Sequence, residues 1–267
     1  MLSNFPRSLI FATALLYAVL GAVLFIFPGQ LAPVFAWNVT AFITMTIGGW
    51  CLGNAWLAFI SARRWDWKRI YSSLLYLWLF GVSQLLVVAS FRDKLKLEHP
   101  IAWLYLLTLA VNVLAALVVS VDWLRTRPSH AFSGQALTLG QRWPVFAFVL
   151  FVGFLGLYGL TAPIGAAGTN GGIFPEIMSP FTLRSFGAFY LCLALGVVPL
   201  FWEKNLQTIL HQAFSAYGLI FFITLAGFVY IGLFDFSARP GGLAYFGAYL
   251  LVDIPLLFVF RRYGTGG

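Results

Sequence analysis

The sequence predicts an all-α integral membrane protein, with about eight transmembrane helices arranged as two parallel four-helix repeats. Three observations predict it. Hydrophobic residues make up 61% of the 267-residue chain and charged residues only 9%, against about 25% charged in a soluble domain. The apolar residues fall in runs of about 20, the length at which a helix crosses ~30 Å of hydrocarbon. The two halves of the chain also share a pattern of aromatic, hydroxyl and small residues. A chain this apolar lacks the polar surface to stay in water. In lipid a helix satisfies its own backbone hydrogen bonds and an open strand does not.

Spans are expected at about 7–28, 39–62, 70–91, 101–124, 144–163, 181–202, 208–234 and 242–260. The first is longer than the ~7–15-residue core of a signal peptide, and it has a counterpart in the second half, so it reads as a true span. The polar stretch RTRPSHAFSGQALTLGQR separates the halves. Its Pro, Gly and Ser content marks a linker. The expected division is a first repeat at 1–124, a cytoplasmic linker at 125–143 and a second repeat at 144–267.

Net charge is +8, which in a soluble protein would suggest nucleic acid. Here the basic residues sit in short loops, so they report topology and attraction to anionic headgroups, and no nucleic-acid partner is expected. With the N-terminus inside, the inner segments hold Arg7, Arg63, Arg64, Lys68, Arg69, Arg125, Arg127, Arg142, Lys204, Arg261 and Arg262, which is 11 of the 16 basic residues. The outer segments hold Arg92, Lys94, Lys96, Arg184 and Arg239. Basic loops stay cytoplasmic. The expected location is therefore the plasma (inner) membrane, with both termini in the cytoplasm.

The repeat is legible in matched positions. At an offset of 139, Phe35, Thr40, Phe42, Thr46, Gly48, Gly49, Trp50 and Leu52 fall on Phe174, Ser179, Phe181, Ser185, Gly187, Ala188, Phe189 and Leu191. At an offset of 140, Pro100 and Tyr105 meet Pro240 and Tyr245; one residue further, Val111-Asn112 meets Val252-Asp253. Each half has an even number of spans, so both enter the membrane the same way. Such repeats are related by a pseudo-two-fold axis along the membrane normal. The second span carries Gly49 and Gly53 four apart, and its counterpart carries Ala188 and Cys192. Small residues at that spacing let another helix approach closely, which places these two helices at the tight centre of the bundle.

An ionisable residue within a span is expensive and marks a site by default. Asp253 lies mid-span, two residues before Pro255. It reads either as a proton, cation or substrate anchor, or as a buried carboxyl bonded to a neighbouring helix. His211, about one turn into the seventh span, is its first expected partner; Asn54 and Asn112 are the alternatives. Arg184 is expected to snorkel to the headgroups, with Glu176 beside it. Cys51 and Cys192, both within spans, form neither a disulfide framework nor a zinc site.

HExxH, GxSxG, P-loop and CxxC signatures are absent, as is any lysine within a span. No catalytic residue, metal or cofactor is therefore assigned. A membrane-embedded enzyme is the third reading, for which the sequence offers only His211 with Asp253. Two functions stand ahead of it. One is a non-enzymatic accessory or scaffold subunit of a membrane assembly, in contact with the lipid bilayer and other membrane subunits. The other is a small-solute or ion carrier with a site at the repeat interface near Asp253.

Overall fold

The computed structural model describes residues 3–128, 137–163, 178–237 and 240–265. Eight long apolar helices carry the chain: α1 (Asn4–Ile26), α2 (Ala41–Arg63), α3 (Trp67–Ser90), α4 (Pro100–Thr126), α5 (Leu139–Thr161), α6 (Pro180–Val197), α7 (Leu206–Val229) and α8 (Gly241–Tyr263). Each is long and apolar enough to cross a membrane, and no strand occurs among the described residues. The protein is a multi-pass helical membrane protein. Linker residues 129–136 and the loop residues 164–177 that include Phe174 and Glu176 lie outside the described residues.

Local chemistry sets the helix starts. Before α2, the Thr40 hydroxyl accepts from Ile43 N at 3.2 Å; before α6, the Ser179 hydroxyl accepts from Thr182 N at 3.2 Å. Asp66 caps α3 through Lys68 N, and Asn205 caps α7 through Gln207 N. Each satisfies a backbone donor left without an intrahelical partner. Pro100 and Pro180 occupy the first helical position, where no N–H is needed. A 3₁₀ turn follows α3 at Arg92–Lys94 and α7 at Ile231–Leu233.

The helices pack in a definite pattern. Within the first four, α1 lies along α2 and α4, and α3 along α4. Within the second four, α5 lies along α6 and α7 along α8. Between the halves, α2 packs on α7, α3 on α6, and α3 on α7. Over its most apolar stretch 83% of α2 is buried, against 22% of α5 and 18% of α8. The centre is therefore α2, α3, α6 and α7, whereas α5 and α8 stand at the edge.

Glycine permits the closest approaches. A Cβ on Gly53 would lie 2.5 Å from Leu219 Cα on α7, and one on Gly49 would meet Phe222 backbone at 3.2 Å. In lipid, van der Waals contact of this kind replaces the hydrophobic effect as the force between helices. Gly21 faces Leu52 N, and Gly48 faces the Leu24–Phe25 peptide; Gly156 faces Leu191 N, and Gly187 faces the Gly159–Leu160 peptide.

The seam between the halves is filled by rings and hydrogen bonds. Trp37 stacks on Phe181 with centroids 4.2 Å apart, and Trp50 stacks on Phe189 at 4.6 Å. Trp37 Nε1 donates to Thr182 Oγ1 at 3.0 Å and Trp56 Nε1 to Phe214 O at 3.0 Å. Gln84 Nε2 donates to Ser185 O at 2.9 Å, Ser72 to Gly196 O at 2.6 Å, and Ser73 to the Gln212 side-chain carbonyl.

Candidate intramembrane polar site

The polar groups of the interior collect at one depth in the first half. Tyr17 on α1, Trp50 and Asn54 on α2, Tyr76 on α3 and Asn112 on α4 each lie at least nine residues from both ends of their helices. At 1.5 Å per residue that is ~13 Å or more, so they share the midplane. All five are buried. Asn112 donates from Nδ2 to Leu77 O at 3.0 Å, and the Tyr17 hydroxyl stands beside its amide. The Tyr76 hydroxyl stands beside Asn54. Neither of these two pairs reaches hydrogen-bonding geometry. Tyr17 OH, Trp50 Nε1, both polar atoms of the Asn54 amide, Tyr76 OH and Asn112 Oδ1 have no partner among the described residues. Such groups in a medium without water each cost several kcal/mol. The cluster offers neutral donors and acceptors, suited to water or an uncharged polar molecule rather than to acid–base chemistry.

Of the four polar candidates in the sequence, Asn54 and Asn112 join this cluster; His211 and Asp253 do not. His211 is buried on α7, with Nε2 3.5 Å from Ser215 Oγ and Nδ1 without a partner. The charges that act on it are Arg64, just past α2, and Arg69, in the first turn of α3. Asp253 is buried at 6% exposure and faces α7, as expected of a carboxyl in a span. Its neighbours there are Thr224 and Tyr217. The expected contact with His211 is not formed. His211 is five residues into α7, whereas Tyr217 and Thr224 are one and a half to three and a half turns deeper. The Thr224 hydroxyl donates to Ile220 O at 2.9 Å, and Asp253 Oδ1 is without a partner.

The small-residue stripes are central but do not meet each other. Gly49 and Gly53 receive α7, whereas Ala188 and Cys192 are buried on α6 and Cys192 Sγ lies 3.2 Å from Ser83 Oγ on α3. The Arg184 guanidinium donates to Gly159 O at 2.8 Å and Ala162 O at 3.0 Å, at the C-terminal end of α5. A cation there completes the C-terminal carbonyls of α5.

Sequence reasoning missed three tyrosines. Tyr190 on α6 shares a hydroxyl–hydroxyl hydrogen bond with Tyr249 on α8. Tyr245, one turn before Tyr249, packs edge-on against it at 4.9 Å. The Tyr245 hydroxyl is buried and stands near that of Tyr249 without reaching hydrogen-bonding geometry. The i, i+4 spacing of Tyr245 and Tyr249 was the available signal. Two cavities also lay beyond the sequence. One, of ≈ 170 Å³, sits among α5, α6, α7 and α8 and has almost wholly apolar walls. The other, of ≈ 280 Å³, lies along α3 and α4 and is lined by Trp67, Tyr71, Trp78, Asn112 and Trp123.

Among the described residues no three His, Cys, Asp or Glu side chains gather as a metal site. No family model, no curated protein and no solved structure matches the chain.

Proposed function

We propose that the chain is a non-enzymatic accessory or scaffold subunit of a plasma (inner) membrane assembly, built from two parallel four-helix repeats, with both termini cytoplasmic. The locked seam carries this reading. Carriers built from repeats work by rocking one unit against the other around a fixed site. Here that motion would break five hydrogen bonds and two face-to-face aromatic stacks at once.

Matched detail supports the repeat. Thr40 and Ser179, like Asp66 and Asn205, are caps 139 residues apart. Gly21 against Leu52 matches Gly156 against Leu191, and Gly48 against Leu24–Phe25 matches Gly187 against Gly159–Leu160. A two-fold axis also exchanges the α2–α7 and α3–α6 contacts. The 11-to-5 basic asymmetry supports the orientation.

The test is purification of the tagged full chain after gentle detergent extraction. A subunit co-purifies at fixed stoichiometry with the same membrane proteins and runs above its own mass on native gels. A protein that always runs alone contradicts the reading. The carrier reading draws on the unpartnered midplane amides and phenols near Asn54 and Asn112, rather than on Asp253. Proteoliposomes distinguish it: faster glycerol permeation than through empty vesicles, abolished by Asn54→Leu, favours the carrier.

A further inference from the structure

The groove along α3 and α4 runs the depth of one leaflet. Its walls extend from Trp67 to Trp78 on α3 and from Asn112 to Trp123 on α4. At 1.5 Å per residue each wall is ~16 Å long. Contacts fix both ends. At the helix termini the Trp67 and Trp123 ring centroids are 5.8 Å apart; at the midplane Asn112 Nδ2 donates to Leu77 O at 3.0 Å. Half of a ~30 Å hydrocarbon core is ~15 Å. The ≈ 280 Å³ groove therefore begins at the headgroups and ends where an acyl chain ends.

The hydroxyls and the amide that reach the groove are spent or closed off within the chain. Tyr71 donates to Glu203 Oε2 at 3.1 Å, Ser120 donates to Ala116 O at 2.8 Å, and Asn112 is 0% exposed. What lies between the helices is therefore hydrocarbon. A helix, ~10 Å across with its side chains, is too wide to enter a cleft between two packed neighbours.

The mouth is different. Arg125 and Arg127 are exposed just past Trp123, and neither forms an ion pair among the described residues. The acids at that end are already engaged. Asp66 caps Lys68 N and pairs with Arg69, Asp122 accepts from Ser3 N at 2.8 Å, and Glu203 accepts from Tyr71 and from Lys204 N. An apolar groove one leaflet deep, with two unpaired cations and two tryptophans at its rim, complements an anionic headgroup that carries a hydrocarbon tail.

We propose that the α3–α4 groove is a site for one anionic phospholipid, with an acyl chain between the helices and its phosphate against Arg125 and Arg127. The groove holds the chain and the arginines select the headgroup. The site does not rest on the subunit reading, because every wall comes from α1, α3 and α4 of this chain.

The test is native mass spectrometry of the purified full chain in detergent, titrated with dioleoylphosphatidylglycerol or dioleoylphosphatidylcholine. The first phosphatidylglycerol should bind at least about five-fold more tightly than the first phosphatidylcholine, the worth of one basic residue at the membrane surface. The double variant Arg125→Gln, Arg127→Gln should lose that preference. Ser120→Trp, which fills the groove, should abolish the tight first binding. Leu117→Trp, on an exposed face of the same helix, should leave it unchanged. Inorganic phosphate, which carries the charge without the chain, should not displace the lipid. Equal affinity for the two lipids, a preference that survives the double variant, tight binding that survives Ser120→Trp, or displacement by inorganic phosphate overturns the proposal. So does a co-purifying membrane protein that Ser120→Trp releases, which would assign the groove to a partner's helix. Should Ser120→Trp fail to fold, the double variant, altered only at exposed positions, decides alone.

Discussion

Thr40 and Asp66 cap α2 and α3 as Ser179 and Asn205 cap α6 and α7, yet the two halves of the chain fill their interiors differently. In the first half, Tyr17, Tyr76 and Gln84 occupy the space among the helices, and α1 closes on α4. At the positions that the proposed repeat aligns with these, the second half carries Val152, Ser215 and Ile223. Of these, Val152 and Ile223 line the ≈ 170 Å³ cavity, and α5 and α8 stand apart. The first half thus turns polar side chains inward at its midplane, whereas the second half surrounds its ≈ 170 Å³ cavity with apolar ones.

The sharpest way to break this comparison is at the seam, because both halves depend on it. Gly53→Ala should destabilise the protein by about 3 kcal/mol or more, since its Cβ meets α7 backbone rather than a movable side chain. Gly153→Ala on α5 meets only Ala194 Cβ at 3.6 Å and should stay within about 0.5 kcal/mol of wild type. Unfolding in mixed micelles compares them. Equal effects would mean that α2 does not lie against α7.

Exchanging the interiors tests the comparison itself. Tyr17→Val should cost about 2–4 kcal/mol by leaving a void in a packed site. The reciprocal Val152→Tyr has the cavity to enter and should cost less than about 1 kcal/mol. If Val152→Tyr is as damaging as Tyr17→Val, the second half is not open.

Much of the fold was legible because the bilayer fixes helix length, so apolar runs located all eight helices. The caps at Thr40 and Ser179 were visible as matched hydroxyls before apolar runs. In the proposed repeat, the correspondence of α1 with α5 is hidden in the sequence, because its offset is 135 rather than 139. The loop between α5 and α6 has 18 residues where that between α1 and α2 has 14, and those four residues shift the register. The partners of the glycine stripes were not legible. A row of small residues announces a close approach without naming the helix that makes it. The same limit governs the site: Asp253 was correctly placed on an inward face, but its register against α7 depends on how two antiparallel helices slide. Tyr245 was visible in the sequence only as the counterpart of Tyr105, and nothing there showed which side chains face its hydroxyl.

The smallest effect separates the two aligned phenols. Tyr105→Phe removes a bond to Gln84 and should cost about 0.6 kcal/mol, the mean for such bonds in membrane bundles. Tyr245→Phe removes a hydroxyl without a partner and should be neutral or stabilising by up to about 1 kcal/mol. A loss of stability in Tyr245→Phe equal to that in Tyr105→Phe would show that the second phenol is already bonded within the chain.

The locked seam itself has a direct measurement. Cys192 on α6 lies 3.2 Å from the Ser83 hydroxyl on α3. In a Cys51→Ala background, Ser83→Cys supplies one thiol to pair with the native Cys192. With a protease site placed in the 125–143 linker, cleavage in native membranes should leave the two halves joined on a non-reducing gel and separated on a reducing one. Halves that separate without reductant after mild oxidation would contradict the packing of α3 against α6, and with it the locked seam.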